Sequence, residues 1–505
     1  MPNRIIPQCF PGRSAAMTLL TIFSLTACTV GPDFKHSAPP ASSAYTATRL
    51  PSQTSTTNIL HGNAQRFVTG QAVPIDWWQN FNSPKLNALI ERALKSSPTL
   101  FSAQATLLQA QQTYAAQAGA TLYPKIDATV GAQRELFNTA AFGLPGGNYL
   151  FNLYNVGVAV NYNFDLFGGN RRTLEAYAAQ TDYQRYLMEA SKLTLEANVA
   201  TAAMTQAEYA AQLQSNKDIL ALQQQQLTIA QQRLKLGAVA RSDTLALQTQ
   251  VEQTRAGIPP LLYRLQQTNH LLALLTGQET GNAAIPQFTL TDFTLPPDLP
   301  VVIPSELVRQ RPDIQASEAL LHVANAQYGA AIATAYPNIG LSANVGSESL
   351  TTAGLFSPAS MIWGIAGQIA QPLFNGGLQA GIQSVKTGYA IAAANYRQTV
   401  LLALRNVADV LRALDNDAQT LSAQSAADSA AQASLALMQQ QYALGGANYL
   451  QLLNAQQQAQ QTRINLIAAQ TQRLTDTAAL YQAMGGGLHD QATHSGKPAG
   501  TMPAH

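Results

Sequence analysis

The sequence predicts a mixed α/β membrane protein, built mainly of long α-helical hairpins with four β-strands and doubled within one chain. Three observations carry this reading. No Gly or Pro interrupts the run between Gly169 and Gly237, so roughly 66 residues stay helical, a rod of about 100 Å. Ahead of that rod, around residues 125–165, the hydrophobic period switches from 3.6 to 2. The same landmarks then recur in the second half, with Leu236-Gly237 matched by Leu444-Gly445 at an offset of 208.

Composition bounds the class. Charged residues make up 11% of the 505, against about 25% in an ordinary globular protein. Such a chain suits extended helices that pack closely without a large core. Residues 1–27 read as an export signal: Arg4 and Arg13 form its basic region, and Met17–Ala27 is an apolar stretch too short to span a membrane. Leu25-Thr26-Ala27-Cys28 resembles the bacterial lipobox, which implies cleavage before Cys28 and acylation of its sulfur. Acyl chains there would anchor the chain to a membrane. Loss of the signal leaves 27 basic and 27 acidic residues. This neutral mature chain carries no basic footprint for nucleic acid. Cys9 leaves with the signal, so no disulfide forms within one mature chain.

Residues 28–83 read as a lipidated N-terminal tether, rich in Pro, Ser, Thr and Ala, and closing with Trp77, Trp78 and Phe81 as core or interface anchors. Residues 84–280 form a first repeat. Pro84 and Pro98 open two helices in positions where the missing N–H costs nothing. After Tyr123-Pro124 come two strands. In the second, Tyr154, Val156, Val158, Val160, Tyr162 and Phe164 take one face, with Asn155, Gly157, Ala159, Asn161, Asn163 and Asp165 on the other. A loop over Arg134–Asn152 is expected between them. The long helix follows, with leucines at seven-residue spacing in two opposed rows: Leu213, Leu220, Leu227 and Leu234, then Leu222, Ile229 and Leu236. Two such rows require a helical neighbour on each side. The return helix runs from about Asp243 to Thr276, with a kink at Pro259-Pro260 that its counterpart Ile467-Ala468 lacks.

A Pro-rich connector over 281–304, expected to wrap irregularly, leads to a second repeat over 305–487. There Ile339, Leu341, Ala343 and Val345 oppose Asn338, Gly340, Ser342 and Asn344, and a fourth strand passes through Trp363, Ile365 and Ile369, after a loop over Ser347–Ser360. Residues 488–505 read as a disordered tail beyond the Gly485-Gly486-Gly487 stop. Four strands cannot close a barrel, and open edges in lipid leave backbone groups unpaired. One chain must therefore join others.

Gly31-Pro32-Asp33-Phe34, Trp77-Trp78-Gln79-Asn80-Phe81 and Arg311-Pro312-Asp313-Ile314, taken with the lipobox and the duplication, resemble the TolC-like outer-membrane efflux factors, specifically the lipoprotein branch of the OprM/NodT type. The resemblance implies a homotrimer whose chains give four strands each to a twelve-stranded barrel, continued as a periplasmic α-barrel. It implies a passive exit duct for small molecules such as drugs or toxic compounds. A periplasmic adaptor and an inner-membrane pump of RND, MFS or ABC type are the implied partners, with no cofactor and no enzymatic activity. The implied location is the outer membrane, lipid-anchored and reaching into the periplasm. Gly237, Ala238, Gly445 and Gly446 become adaptor-docking tips, and Asp243, Tyr442, Gln451 and Asn454 periplasmic gate candidates. Asp243 also suits a helix N-cap, and Tyr442 is a possible hydrogen-bond partner for it. Gln451 and Asn454 stand where relatives often carry acids, which weakens the charged gate. Two alternatives remain: a duct for type I protein secretion, and a non-conducting coiled-coil lipoprotein spacing the envelope layers. The seven histidines lack metal-ligand spacing, and no catalytic motif is present.

Overall fold

The computed structural model describes residues 29–487 apart from Leu144 and Gly146. The export signal, Cys28 and the tail from 488 lie outside the described residues. The first half runs β1 (Arg66–Thr69), α1 (Pro84–Ser96), α2 (Pro98–Leu122), β2 (Lys125–Asn138), β3 (Asn148–Phe164), α3 (Gly169–Lys235), α4 (Arg241–Ala256) and α5 (Ile258–Leu275). The second runs β4 (Asp298–Val301), α6 (Pro304–Gln310), α7 (Pro312–Ala333), β5 (Asn338–Ser349), β6 (Met361–Ala370), α8 (Leu378–Ala443) and α9 (Tyr449–Ala483). Two short helices, a strand pair and a long helical hairpin therefore occur in the same order twice.

The described residues fall into two compact units, one of residues 29–36, 108–182 and 319–394, the other of 37–107, 183–318 and 395–487. In the first, β2-β3-β5-β6 form one antiparallel sheet in that order. Its register places Ile126 against Val160, Val158 against Val345, and Ala343 against Ile365. The apolar side chains of the four strands therefore share one face. Asn161 meets Ser342, and Asn344 meets Gly364, on the other face. The strands outrun expectation: β2 and β3 stay paired from Arg134↔Asn152 to Asn138↔Asn148, inside the stretch expected to be loop. Cross-strand pairs such as Leu136↔Leu150 and Phe137↔Tyr149 carry the ladder outward. Likewise β5 continues to Ser349, three residues into the second expected loop. In the same unit, Ala176 and Ala179 of α3 pack on Val323 and Ala326 of α7, where the alanines let the helices approach closely.

In the second unit a core gathers on Trp77, Trp78 and Phe81. Trp77 stacks on Tyr481 at 5.4 Å between ring centroids, and Asn80 donates to the Tyr481 hydroxyl at 3.1 Å. Leu86, Leu89 and Ile90 of α1 and Met204 of α3 are sealed into the same core. Two sequence expectations are corrected here. The connector is not wholly irregular, because β4 pairs in parallel with β1. Nor does residue 37 onward hang free: Arg473 of α9, 1% exposed, donates to the His61 and Asn63 carbonyls at 2.7 and 3.1 Å and to Gln65 Oε1 at 3.1 Å. An extended segment without helix propensity still needs its backbone groups bonded, and a buried guanidinium supplies five donors.

Pro259 and Pro260 interrupt the first return helix at Gly257, while α9 runs unbroken for 35 residues. Amide-to-amide hydrogen bonds hold α9 to its neighbours. Gln456 donates to Gln226 at 2.5 Å, Gln460 to Asn216 at 2.6 Å, and Gln457 to Gln250 at 2.9 Å. Arg463 adds one ion pair to Asp428 at 3.3 Å.

Candidate functional site

The hairpin tips bring most of the singled-out residues into one region. Helix α3 ends in a left-handed Gly237 at φ +72° and α8 in Gly445 at φ +77°. Each carries the same pair of closing bonds: Gly237 N–H to the Leu234 carbonyl with Ala238 N–H to that of Arg233, and Gly445 to Tyr442 with Gly446 to Gln441. This is the Schellman arrangement, which satisfies carbonyls that the helix end leaves open. Arg233 and Lys235 sit in the last turn of α3, where cations suit the dipole.

The return helices start differently. Ala240, not Asp243, is the N-cap of α4, and no side chain caps it. Asp243 stands in the first turn, half-buried. That corrects the capping alternative: the helix begins earlier, at Arg241, and its dipole rather than a cap bond favours the carboxylate. At α9, Asn448 Oδ1 accepts from Gln451 N–H at 2.9 Å, while Gln451 Oε1 accepts from Asn448 N–H at 2.9 Å. The Gln451 carbonyl oxygen is therefore occupied in a capping box, and Asn454 is exposed. Among the described residues no hydrogen bond joins Asp243 to Tyr442. Tyr442 instead meets Tyr449 edge-on at 6.2 Å, and Tyr449 is buried with Ala230 and Leu247. The sequence reading missed Tyr449, although an aromatic at the first position of α9, where α4 has Arg241, was its visible signal.

A second cluster fixes the residues that follow Cys28. Val30 N–H donates to the Phe167 carbonyl at 3.1 Å. Arg172, whose side chain is 5% exposed, reaches Asp33 at 2.6 Å and Glu175 at 2.7 Å, and Asn325 donates to the Pro32 carbonyl at 3.0 Å. Phe34 stacks on His322 at 4.2 Å, whose ring nitrogen lies 2.8 Å from Glu175. Gly31, at φ +91°, is pressed onto Gly329 so closely that a Cβ would stand 2.7 Å from the Gly329 Cα. The motif Gly31-Pro32-Asp33-Phe34 is thus a clamp on α3 and α7, a role that its composition alone does not reveal.

Among the described residues no cluster of three or more His, Cys, Asp or Glu could hold a metal ion, and no described helix is long and apolar enough to cross a membrane. The sheet, with one continuous apolar face, is the element suited to lipid. Fold and sites together define a protein with one apolar-faced antiparallel sheet and two long helical hairpins. A profile of the Outer membrane efflux protein family matches residues 89–278 and 303–486, and the chain belongs to that family.

Individual relatives agree. The solvent efflux pump outer membrane protein SrpC of Pseudomonas putida is 28% identical over 477 residues, covering 94% of this chain and 98% of that one. The cation efflux system protein CusC of Escherichia coli K12 is 27% identical over 494 residues, covering 96% and 100%. In fold, the chain is similar to the CmeC outer membrane channel of Campylobacter jejuni, with a TM-score of 0.82 at 19% identity over 92% of this chain and 96% of that one.

Proposed function

We propose that three copies of this chain form the outer-membrane exit duct of a tripartite efflux system, passively conducting small molecules that an inner-membrane pump delivers through a periplasmic adaptor. The observation that carries this reading is the four-stranded sheet: one apolar face runs across all four strands, and β2 and β6 are its outer strands. In lipid those outer edges need partners, and further copies of the chain supply them. The duct itself does no covalent chemistry. Asp243, Tyr442, Gln451 and Asn454 are proposed to line or support the periplasmic constriction, and Gly237, Ala238, Gly445 and Gly446 to form the adaptor-facing turns. The exported class is proposed to be small organic molecules such as drugs or toxic compounds, and the low charge of the helices suits chemically varied cargo.

Cys28 is proposed as the acylated residue. Thr29 lies against Gly168, where a Cβ would stand 2.5 Å from its methyl group, so the acyl chains would enter the membrane beside the junction of β3 and α3. The native mass of the lipidated protein in mild detergent tests the assembly, and complementation of an efflux-deficient strain tests the transport. Three chains per particle and restored resistance are expected. A monomer that stays folded overturns the reading.

A further inference from the structure

A cleft of about 530 Å³ lies between α3, α8 and α9, within the second unit. Leu222 of α3, Leu435 of α8 and Ile467 of α9 give it apolar walls, and glutamines supply most of its polar lining. A cleft of this size and composition accommodates a drug-sized organic molecule. Along its edge runs the seam between α3 and α9, where Asn216 accepts from Gln460 at 2.6 Å and Gln226 accepts from Gln456 at 2.5 Å. Gln223 follows Asn216 by seven residues and so shares its face of α3. It lines the cleft and is 2% exposed, yet neither the nitrogen nor the oxygen of its carboxamide has a hydrogen-bond partner among the described residues. A buried amide left unbonded on both atoms is unfavourable compared with the bonded amides on either side of it. The side chain turns about its own torsions, so the amide swings toward the cleft without any movement of the helix. The charged groups of the walls are already engaged: Asp218 accepts from Gln214 at 2.8 Å, and Arg463 pairs with Asp428 at 3.3 Å.

We propose that this cleft binds a neutral organic molecule with an apolar body and one amide-like edge, a lactam or carboxamide that presents N–H and C=O side by side. That edge pairs with Gln223 as two carboxamides pair with each other, donor to acceptor twice. The body lies against Leu222, Leu435 and Ile467. The site belongs to the wall of the hairpins rather than to their tips, and occupancy requires no transport, so the inference goes beyond the duct reading.

Two probes that differ in one donor test it. Carbostyril, a benzo-fused lactam, carries N–H beside C=O, and N-methylcarbostyril keeps the body and the carbonyl with the donor blocked. Equilibrium dialysis against the full-length lipidated protein in mild detergent measures the affinity of each. Wild type is expected to hold carbostyril about ten-fold more tightly, the scale of one neutral hydrogen bond. Gln223→Leu removes the amide and deprives the fold of no hydrogen bond, and should bring the two probes to equal affinity at unchanged native mass. Gln439→Trp crowds the cleft from α8 while leaving Gln223 in place, and should weaken carbostyril by about ten-fold. Equal binding of the two probes by wild type, which is what simple partition into detergent gives, overturns the proposal without recourse to any variant. A preference that survives in Gln223→Leu overturns it as well, as does undiminished affinity in Gln439→Trp. None of these readouts involves conductance or the number of chains, so failure here is distinct from failure of the duct reading.

Discussion

Glu196 is 2% exposed in the core beneath Trp77. One carboxyl oxygen accepts from the Trp77 indole N–H at 3.3 Å and the other has no partner. Burial pushes its carboxyl up to about 7, against the opposing pull of Lys192. The folded chain thus holds this proton more tightly than the unfolded chain, so stability falls as pH rises from the ordinary carboxylate range to about 7, then levels off. The loss is roughly 3 kcal/mol, since each pKa unit is worth about 1.4. Glu196→Gln should unfold at a higher temperature than wild type at pH 8, and the dependence of its melting temperature on pH between about 5 and 7 should be shallower than that of wild type. At the tip, Asn454 is exposed on α9, and Asn454→Asp should increase block of single-channel current by divalent cations. An unchanged current would remove Asn454 from the constriction. Neither Glu196 nor Arg473 was singled out in the sequence, because a charged residue within a helical run looks the same whether it faces solvent or core.

At the scale of elements, the two tip glycines adopt a backbone that other residues avoid. Open space surrounds Gly237, so a side chain there meets only the backbone penalty of the left-handed region. Gly237→Val should weaken the cap by about 1–2 kcal/mol, read as faster hydrogen exchange at the Gly237 and Ala238 amides with the trimer intact. Helices, the kink and these caps were legible because each follows from local residue order. The outer parts of β2 and β3 were not: Gly143, Pro145 and Gly147 gave a strong turn signal, and residues 134–138 break the alternation with Arg134 and Glu135. Only pairing across the hairpin reveals them. The same applies to β1 and β4, four residues each, whose partners lie more than 200 positions away.

The duplication makes a prediction for the whole assembly. Inside the chain, β3 of the first repeat pairs with β5 of the second, Val158 opposite Val345. First strands are related by an offset of 213, from Tyr123 to Tyr336, and second strands by 207, from Leu166 to Leu373. Applying both shifts to that pair sets Ile365 of one copy opposite Ala132 of the next. Ile365→Cys with Ala132→Cys should therefore cross-link chains under oxidation, whereas Ile365→Cys with Gln133→Cys, one residue out of register and on the opposite face, should not. The need for partners was readable from four strands that cannot close on themselves. The clamp of residues 30–34 on α3 and α7 was not, since it depends on contacts across almost 300 positions.

The amide-to-amide hydrogen bonds from α9 to α3 and α4 carry a further consequence. A seam of Gln and Asn holds by short-range dipoles, which dissolved ions screen far less than they screen exposed pairs of opposite charge. The periplasm exchanges small ions with the surrounding medium, so its ionic strength follows the habitat. Helices spaced by uncharged hydrogen bonds keep their separation when a cell moves from dilute to saline surroundings, and the width between them stays independent of salinity.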